Sequence, residues 1–401
     1  MIMKWLSSTL LVMISLLLLS GCWDRWELNE LSIITGMAID KSDDHYELTM
    51  QSINPAEIAS QEIGNGYAQA FNTTEVAPTI HESLRKHVNK SPRRAFISHL
   101  QVLVISEEVA REGITSILDF FYRDHEVRSD FFVLIAKDDQ RAKEILSIVT
   151  PLENVPSQNI FDSLQYGARS YGGTRIVTLD DLYQDATAPG IEPALMGVQV
   201  IGNLKEGQER SNAERNEPAT TLLIQELAMF RDNYLVGWLS QDQSKGLNYI
   251  TGDIRDSVGS FNCPNNSDEE FALESFKEKT DYDVRIVNNK PIIDLTFNIS
   301  SHISEVNCST LDLSKEENFY LVEKESEEQF LTILQDTVQE AKAHQSDVLG
   351  FGQMIHRKHP KIWEELKSNW NEEFPNVEVT YDVNIKITDT GNIINSFTED
   401  D

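Results

Sequence analysis

The chain has 401 residues, about 40% hydrophobic and 25% charged, with a formal net charge of −31. That length allows two or three domains of roughly 100–200 residues, and the composition is globular rather than disordered. So acidic a chain lacks the Lys and Arg excess that releases counterions, which sets aside nucleic acid and adhesion to membranes through a polybasic stretch.

The first 21 residues read as a signal peptide. Lys4 is the only charge, and Trp5–Leu19 forms an apolar stretch of about 15 residues, short of the roughly 20 needed to span a bilayer. Leu19-Ser20-Gly21-Cys22 matches a bacterial lipobox. Small side chains before the scissile bond admit the peptidase, and the Cys22 thiol takes a diacylglyceryl group. Two acyl chains then hold a protein stably on a membrane.

Beyond the tether, "LSIITGMAID" and "HYELTMQSI" flank "KSDD" and predict a hairpin. Ile80, Leu84 and Val88 predict a helix after Pro78. "HLQVLVIS" and "RSDFFVLIAKD" are buried strands around the helix "GITSILDFFYRD", and "DDQRAKEILSIV" is a helix capped by Asp138 or Asp139. This β–α–β order favours a mixed sheet covered by helices. Residues 22–188 are therefore expected to form an N-terminal α/β domain.

A small middle domain is expected over 189–262, with an exposed polar loop at 203–219. It carries the hairpin signal "LAMFRDNYLVGWLS" and a short helix in "QSKGLNYITGDI". The C-terminal α+β domain, 263–401, has a second hairpin across "NNK". An amphipathic helix follows, bearing Phe330, Leu334, Val338 and Ala341 on one stripe. Pro360 restarts a helix, and "NVEVTYDVNIKIT" alternates as a long half-buried strand. The fold class is α+β and multi-domain, with mixed, mostly antiparallel sheets packed by helices.

No catalytic motif emerges. G-x-S-x-G, Walker and H-E-x-x-H patterns are missing from the sequence. Gly350 and Gly352 flank Phe351 without a further glycine at phosphate-loop spacing, and read as a close helix contact or kink. His356 and His359 lack third and fourth partners for a metal. With Cys22 lipidated, Cys263 and Cys308 remain in an export context that permits a disulfide; spacing leaves both the bridged and the free state open. The residues thus predict no metal, no catalytic group and no cofactor beyond the lipid on Cys22.

"GCWDRWELNELSIITGMAID" resembles the start of the Ger(x)C lipoproteins, the C subunits of bacterial spore germinant receptors. "HLQVLVISEEVAREGITSILDFFYRDHEVRSDFFVLIAK", "LAMFRDNYLVGWLS" and "SDVLGFGQMIHRKHPKIWEELKSNWNEEFPNVEVTYDVNIKITDTG" continue the resemblance in order, from Cys22 to about Gly391. The resemblance implies a non-enzymatic subunit on the outer face of the inner spore membrane. Its partners would be membrane-embedded A and B subunits, with no directly bound small molecule. It singles out Trp23, Asp24, Gly36, Gly350, Phe351, Gly352, His356, Pro360 and Trp370 as structural or partner-contact residues, and says nothing of a bridge between Cys263 and Cys308. The competing reading is a lipid-anchored solute-binding protein that captures a nutrient directly. It requires two similar doubly wound lobes around a cleft.

Overall fold

A computed structural model of the chain describes Trp5 and residues 27–59, 68–309 and 311–390. Their strands form a nine-stranded and a four-stranded sheet. The first begins with the expected hairpin, β1 (Leu31–Ser42) against β2 (His45–Ile53). Asp43 takes φ 52° at its turn, a conformation that short polar side chains tolerate. Next come α1 (Pro55–Ala59), β3 (Ala70–Ala77), α2 (Ile80–Lys86) and the short β4 (Arg94–Phe96). The Thr79 hydroxyl opens α2 by accepting the Glu82 N–H.

β5 (Val102–Ser106) and β6 (Phe132–Ala136) are buried along their whole length, as parallel strands covered on both faces are. Between them run α3 (Glu107–Glu112) and α4 (Thr115–Arg123). α5 (Ala142–Ile145), α6 (Pro156–Ser170) and α7 (Leu179–Thr187) lead to β7 (Ala194–Gly202). β5, β6 and β7 all run parallel to β1.

The cap of α5 is not the one expected. Asp138 and Asp139 sit in a left-handed turn (φ 59° and 55°). Asp40, at the end of β1, instead accepts the N–H groups of Ala142 and Lys143 at 2.7 and 2.9 Å. The capping carboxylate comes from a residue about a hundred positions away, so no local pattern announces it.

Residues 189–262, expected as a domain of their own, are divided between the two sheets. The polar stretch 203–219 is not wholly an exposed loop: it contains α8 (Leu204–Gly207) and α9 (Arg210–Ala213). Asn212 is fully buried and holds the Val149 and Thr220 carbonyls at 2.8 and 2.9 Å. β8 (Thr220–Arg231) and β9 (Tyr234–Leu239) then complete the first sheet, in the order β3-β2-β1-β5-β6-β7-β8-β9 with β4 on the start of β1. After α10 (Gln241–Thr251), β10 (Ser257–Cys263) starts the second sheet.

The second sheet is dominated by one hairpin, β11 (Asn266–Val287) with β12 (Lys290–Val306). Its turn residues Asn288 and Asn289 both have positive φ, 52° and 61°, the backbone that suits a tight hairpin. α11 (Glu316–Ala343) lays Phe330, Leu334, Val338 and Ala341 on Ile293, Leu295, Phe297 and Ile299, all buried. α12 (Phe351–Lys358), α13 (Pro360–Leu366) and α14 (Trp370–Glu373) bring the chain to β13 (Glu378–Asp389), parallel to β12. The α+β class expected from the sequence is the class observed, with six antiparallel and five parallel pairings among the described strands.

Two cores lie on opposite faces of the first sheet. Leu103 and Ile105 face one, with Ile117 and Phe121. Val102 and Val104 face the other, which runs on through Leu247 into Leu295 and Phe297 of the second sheet. The two sheets therefore share a core. Three of the outer strands, β3, β10 and β13, carry side chains on their free backbone groups. Lys86 and Lys90 donate to the Val76 and Thr74 carbonyls of β3. Lys245 donates to Val258 of β10, and Gln329 bonds both backbone groups of Asn262. Glu327 and Glu323 accept the Ile385 and Ile387 N–H groups of β13.

Candidate functional site

The C-terminal candidates converge on a residue the sequence reading passed over, Asp347. It lies between α11 and α12 and is 1% exposed. Its carboxylate accepts the N–H of Phe351 at 2.9 Å and that of Gly352 at 2.7 Å. The Trp370 indole N–H donates to the same group at 2.9 Å. A carboxylate at a helix N-terminus satisfies donors that have no partner within the helix. Burial nevertheless pushes this carboxyl up to about 6, against the three N–H groups that favour its ionised form.

Gly350 precedes α12 in the left-handed region, φ 72°. A Cβ on Gly352 would stand 2.6 Å from the Cα of Gly190 and 2.8 Å from the rings of Trp363 and Trp370. Gly190, at φ 75°, is equally constrained: its Cβ would meet the Gly352 carbonyl carbon at 2.5 Å. Two backbones cross here in direct contact, and only glycine permits it. The Gly190 carbonyl accepts the Gln353 N–H at 2.8 Å, and the Asp347 carbonyl accepts the Glu192 N–H at 3.0 Å.

Aromatic rings close the site. Trp363 and Trp370 meet edge to face at 5.2 Å between centroids, and Phe374 lies 6.0 Å from both Trp370 and Phe351. His356 is half-buried, its ring 6.0 Å from Trp363. Pro360 is exposed and opens α13, which carries Trp363. Gly36 is not part of this group. It packs in β1 against Ser157 and Leu146, where a Cβ would stand 2.8 Å from Ser157. Leu19, Ser20, Gly21, Cys22, Trp23 and Asp24 lie outside the described residues. Cys263 and Cys308 are disulfide-bonded, Cα atoms 5.7 Å apart, tying the end of β10 to the segment after β12.

This arrangement is a clamp. The Asp347 oxygens are enclosed and engaged by three donors, so they hold backbone rather than face a substrate. On the other side of the contact, Glu192 accepts the Asp232 N–H at 3.1 Å in the β8–β9 turn. Burial pushes its carboxyl up to about 7. Arg231 donates to Gln345 at 2.9 Å. A polar cleft of about 730 Å3 opens beside the clamp, between Glu192 and Asp232 on one wall and Asn371 and Glu372 on the other.

A second place where α/β sheets bind ligands is the carboxyl end of their parallel strands. Here the N-terminus of α5 is occupied by the chain's own Asp40. Glu47 pairs with Arg141 and Lys143 at 3.0 and 2.7 Å beside it. Among the described residues no cluster of three or more His, Cys, Asp or Glu is placed to hold a metal. No described helix is long and apolar enough to cross a membrane.

Residues 24–200 match the family described as spore germination protein N-terminal domain, and residues 225–391 match the spore germination B3/GerAC like, C-terminal family. The chain belongs to the Ger(x)C family of germinant receptor C subunits. Spore germination protein KC of Bacillus subtilis (strain 168) is 29% identical over 370 residues, spanning 91% of this chain and 90% of that protein. Spore germination protein B3 of the same organism is 25% identical over 98% of this chain and all of that protein. The crystal structure of the GerBC protein shares the fold, with a TM-score of 0.53 at 19% identity over 91% of this chain and 99% of that one. In this Ger(x)C chain the clamp joins the two matched regions: Gly190 and Glu192 fall in the first, and Asp347 to Trp370 in the second.

Proposed function

We propose that this chain is a lipid-anchored, non-catalytic subunit of a spore nutrient germinant receptor. It assembles with membrane-embedded A and B subunits on the outer face of the inner spore membrane and couples their rearrangement to germination. The observation that carries this reading is the pair of family matches covering 24–200 and 225–391, directly after the lipobox cysteine. The clamp supports it. A body whose two sheets share a core and lock through Asp347 transmits displacement as a rigid piece rather than closing around a solute.

The nine-stranded and four-stranded sheets do not supply the matched lobes that a solute-binding protein uses. The test is Cys22→Ala. Spores carrying it should lose the protein from the membrane fraction and lose nutrient-triggered germination. Normal germination with the protein still membrane-bound would sink the proposal. Saturable binding of amino acids or sugars to the purified protein would favour the solute-binding alternative.

A further inference from the structure

A groove of about 970 Å3 lies between α2 and α4, over the core that the second sheet does not share. Its floor is apolar and aromatic. The rings of His81 on α2 and Phe120 on α4 meet edge to face at 6.0 Å. Tyr46 and Phe120 pack on the rim of that core, so the floor is continuous with it. At one end the hydroxyls of Tyr46 and Ser116 share a hydrogen bond of 2.6 Å. There too the half-exposed Tyr234 ring lies against Gly113, 3.0 Å from where a Cβ would stand. Along α4 the groove runs from Thr115 to Asp124, about 14 Å at the rise of a helix.

The carboxylates that line the groove are answered within the chain. Glu112 pairs with Lys41. Both oxygens of Asp119 accept the Arg123 Nε–H at 2.8 Å. Asp124, its side chain 5% exposed, accepts the Glu126 N–H at 2.9 Å and lies 3.9 Å from His81 Nδ1. The Arg85 guanidinium and the His125 ring line the same groove, both exposed, with no ion pair among the described residues. With a net charge of −31, most of this chain's surface repels an acidic partner. Here the permanent charge left unanswered is positive and stands beside aromatic rings. A basic segment would find no free carboxylate.

We propose that the groove between α2 and α4 receives an acidic, apolar segment of a receptor partner, which seats apolar side chains on Phe120 and Tyr234 and a carboxylate on Arg85. The proposal rests on the reading of this chain as a receptor subunit. The rings supply contact area: aromatic side chains and Arg are what interface centres favour, because each joins broad contact to a directed polar group. Arg85 supplies direction, since a planar guanidinium takes a carboxylate through two parallel N–H donors. On so acidic a chain, that contact selects the partner's charge and its orientation together.

Spores in which the photo-crosslinker p-benzoylphenylalanine replaces Tyr234 can be irradiated and the linked peptides sequenced by mass spectrometry. Tyr166, exposed on α6, is the reference position; α6 packs on the opposite face of the first sheet through Ile160 and Leu164. The crosslinker at 234 should join a membrane-subunit segment bearing Asp or Glu, several-fold more than the crosslinker at 166. That yield should fall several-fold in Arg85→Glu and survive in Arg85→Lys, with the thermal midpoint of the purified chain unchanged in both. Equal yields at 234 and 166 overturn the groove. So do a linked segment without carboxylates, a link to a second copy of this chain, and a yield indifferent to Arg85→Glu. Co-purification separates this proposal from the wider reading. A chain that brings down membrane subunits but is not linked to them at 234 loses the groove alone; a chain that brings down none loses both.

Discussion

The indole N–H of Trp370 donates to the carboxylate of Asp347 at 2.9 Å, inside a site where Asp347 is 1% exposed. The same carboxylate receives two backbone N–H groups of α12, so a side chain of α14 and the start of α12 depend on one buried charge. Trp370→Phe keeps an aromatic side chain but removes the donor and one of the two fused rings, and should lower stability by about 2–4 kcal/mol. Asp347→Ala strands three donors and should lower it by about 3 kcal/mol or more. In the double variant the losses should fall short of their sum, because both act on one network. Urea midpoints of the four proteins make the cycle; strict additivity would show that the bond is not a shared support.

The crossing of Gly190 and Gly352 leaves no room for a methyl group, with backbone 2.5 Å from a Cβ on Gly190. Gly190→Ala adds left-handed strain to that collision, and should destabilise by about 2–4 kcal/mol. Gly252→Ala is the control: its φ is 71°, with nothing within 4 Å of a Cβ, so it isolates the strain. Thermal melts that rank both variants alike would mean that the two backbones part at little cost.

Stability should depend on pH in a defined direction. Burial raises the carboxyls of Asp185 and Asp347 to about 6, Glu192 to about 7 and Glu278 to about 8. Unfolded carboxyls titrate near about 4. Between those values the folded chain binds more protons than the unfolded one, so stability is fullest below the unfolded pKa and declines as pH rises through the folded ones. His87, fully buried, is lowered by burial. It acts oppositely, mostly below about pH 6.5, where the unfolded imidazole takes up a proton. From pH 6.5 to 8 the raised carboxyls outweigh the lowered His87, Lys245 and Lys342, which act the other way, and urea midpoints should fall. Glu278→Gln should flatten that slope. A midpoint that rises over this range would contradict the assignment.

The Cys263–Cys308 bridge closes a separation of 45 residues, a loop whose constraint on the unfolded chain is worth about 4 kcal/mol on the entropy model. Replacing both cysteines with Ser should lower stability by about 2–4 kcal/mol, read as a drop in calorimetric midpoint that reductant reproduces in the parent chain. A midpoint indifferent to reductant would assign the stability of β10–β12 to packing alone.

The legible parts of this fold are those whose causes are local. "KSDD" and "NNK" each announce a hairpin, and Asp43, Asn288 and Asn289 adopt the left-handed backbone such turns need. The stripe of Phe330, Leu334 and Val338 predicts its own burial. What stayed hidden depends on distant partners. "LAMFRDNYLVGWLS" announces a hairpin, but its composition does not say which sheet it joins, and nothing local announces β7 at Ala194–Gly202. Asn212 lies in a stretch polar enough to pass for a loop, yet it is fully buried because it answers backbone groups on both sides. At the clamp, the motif reading named Gly350, Phe351, Gly352 and Trp370 but not Asp347, which organises them. An Asp before a glycine-bearing segment reads as an ordinary turn residue, and Gly190 is about 160 positions away.

The plugged outer strands have a consequence for how this chain keeps company. A lysine on a carbonyl or a glutamate on an N–H interrupts the ladder that another copy could zip onto along β3, β10 and β13. Molecules crowded on one surface can then remain neighbours without polymerising. Recognition passes to side-chain chemistry, where a single substitution can change a partner, rather than to the backbone, which would accept any extended segment that came near.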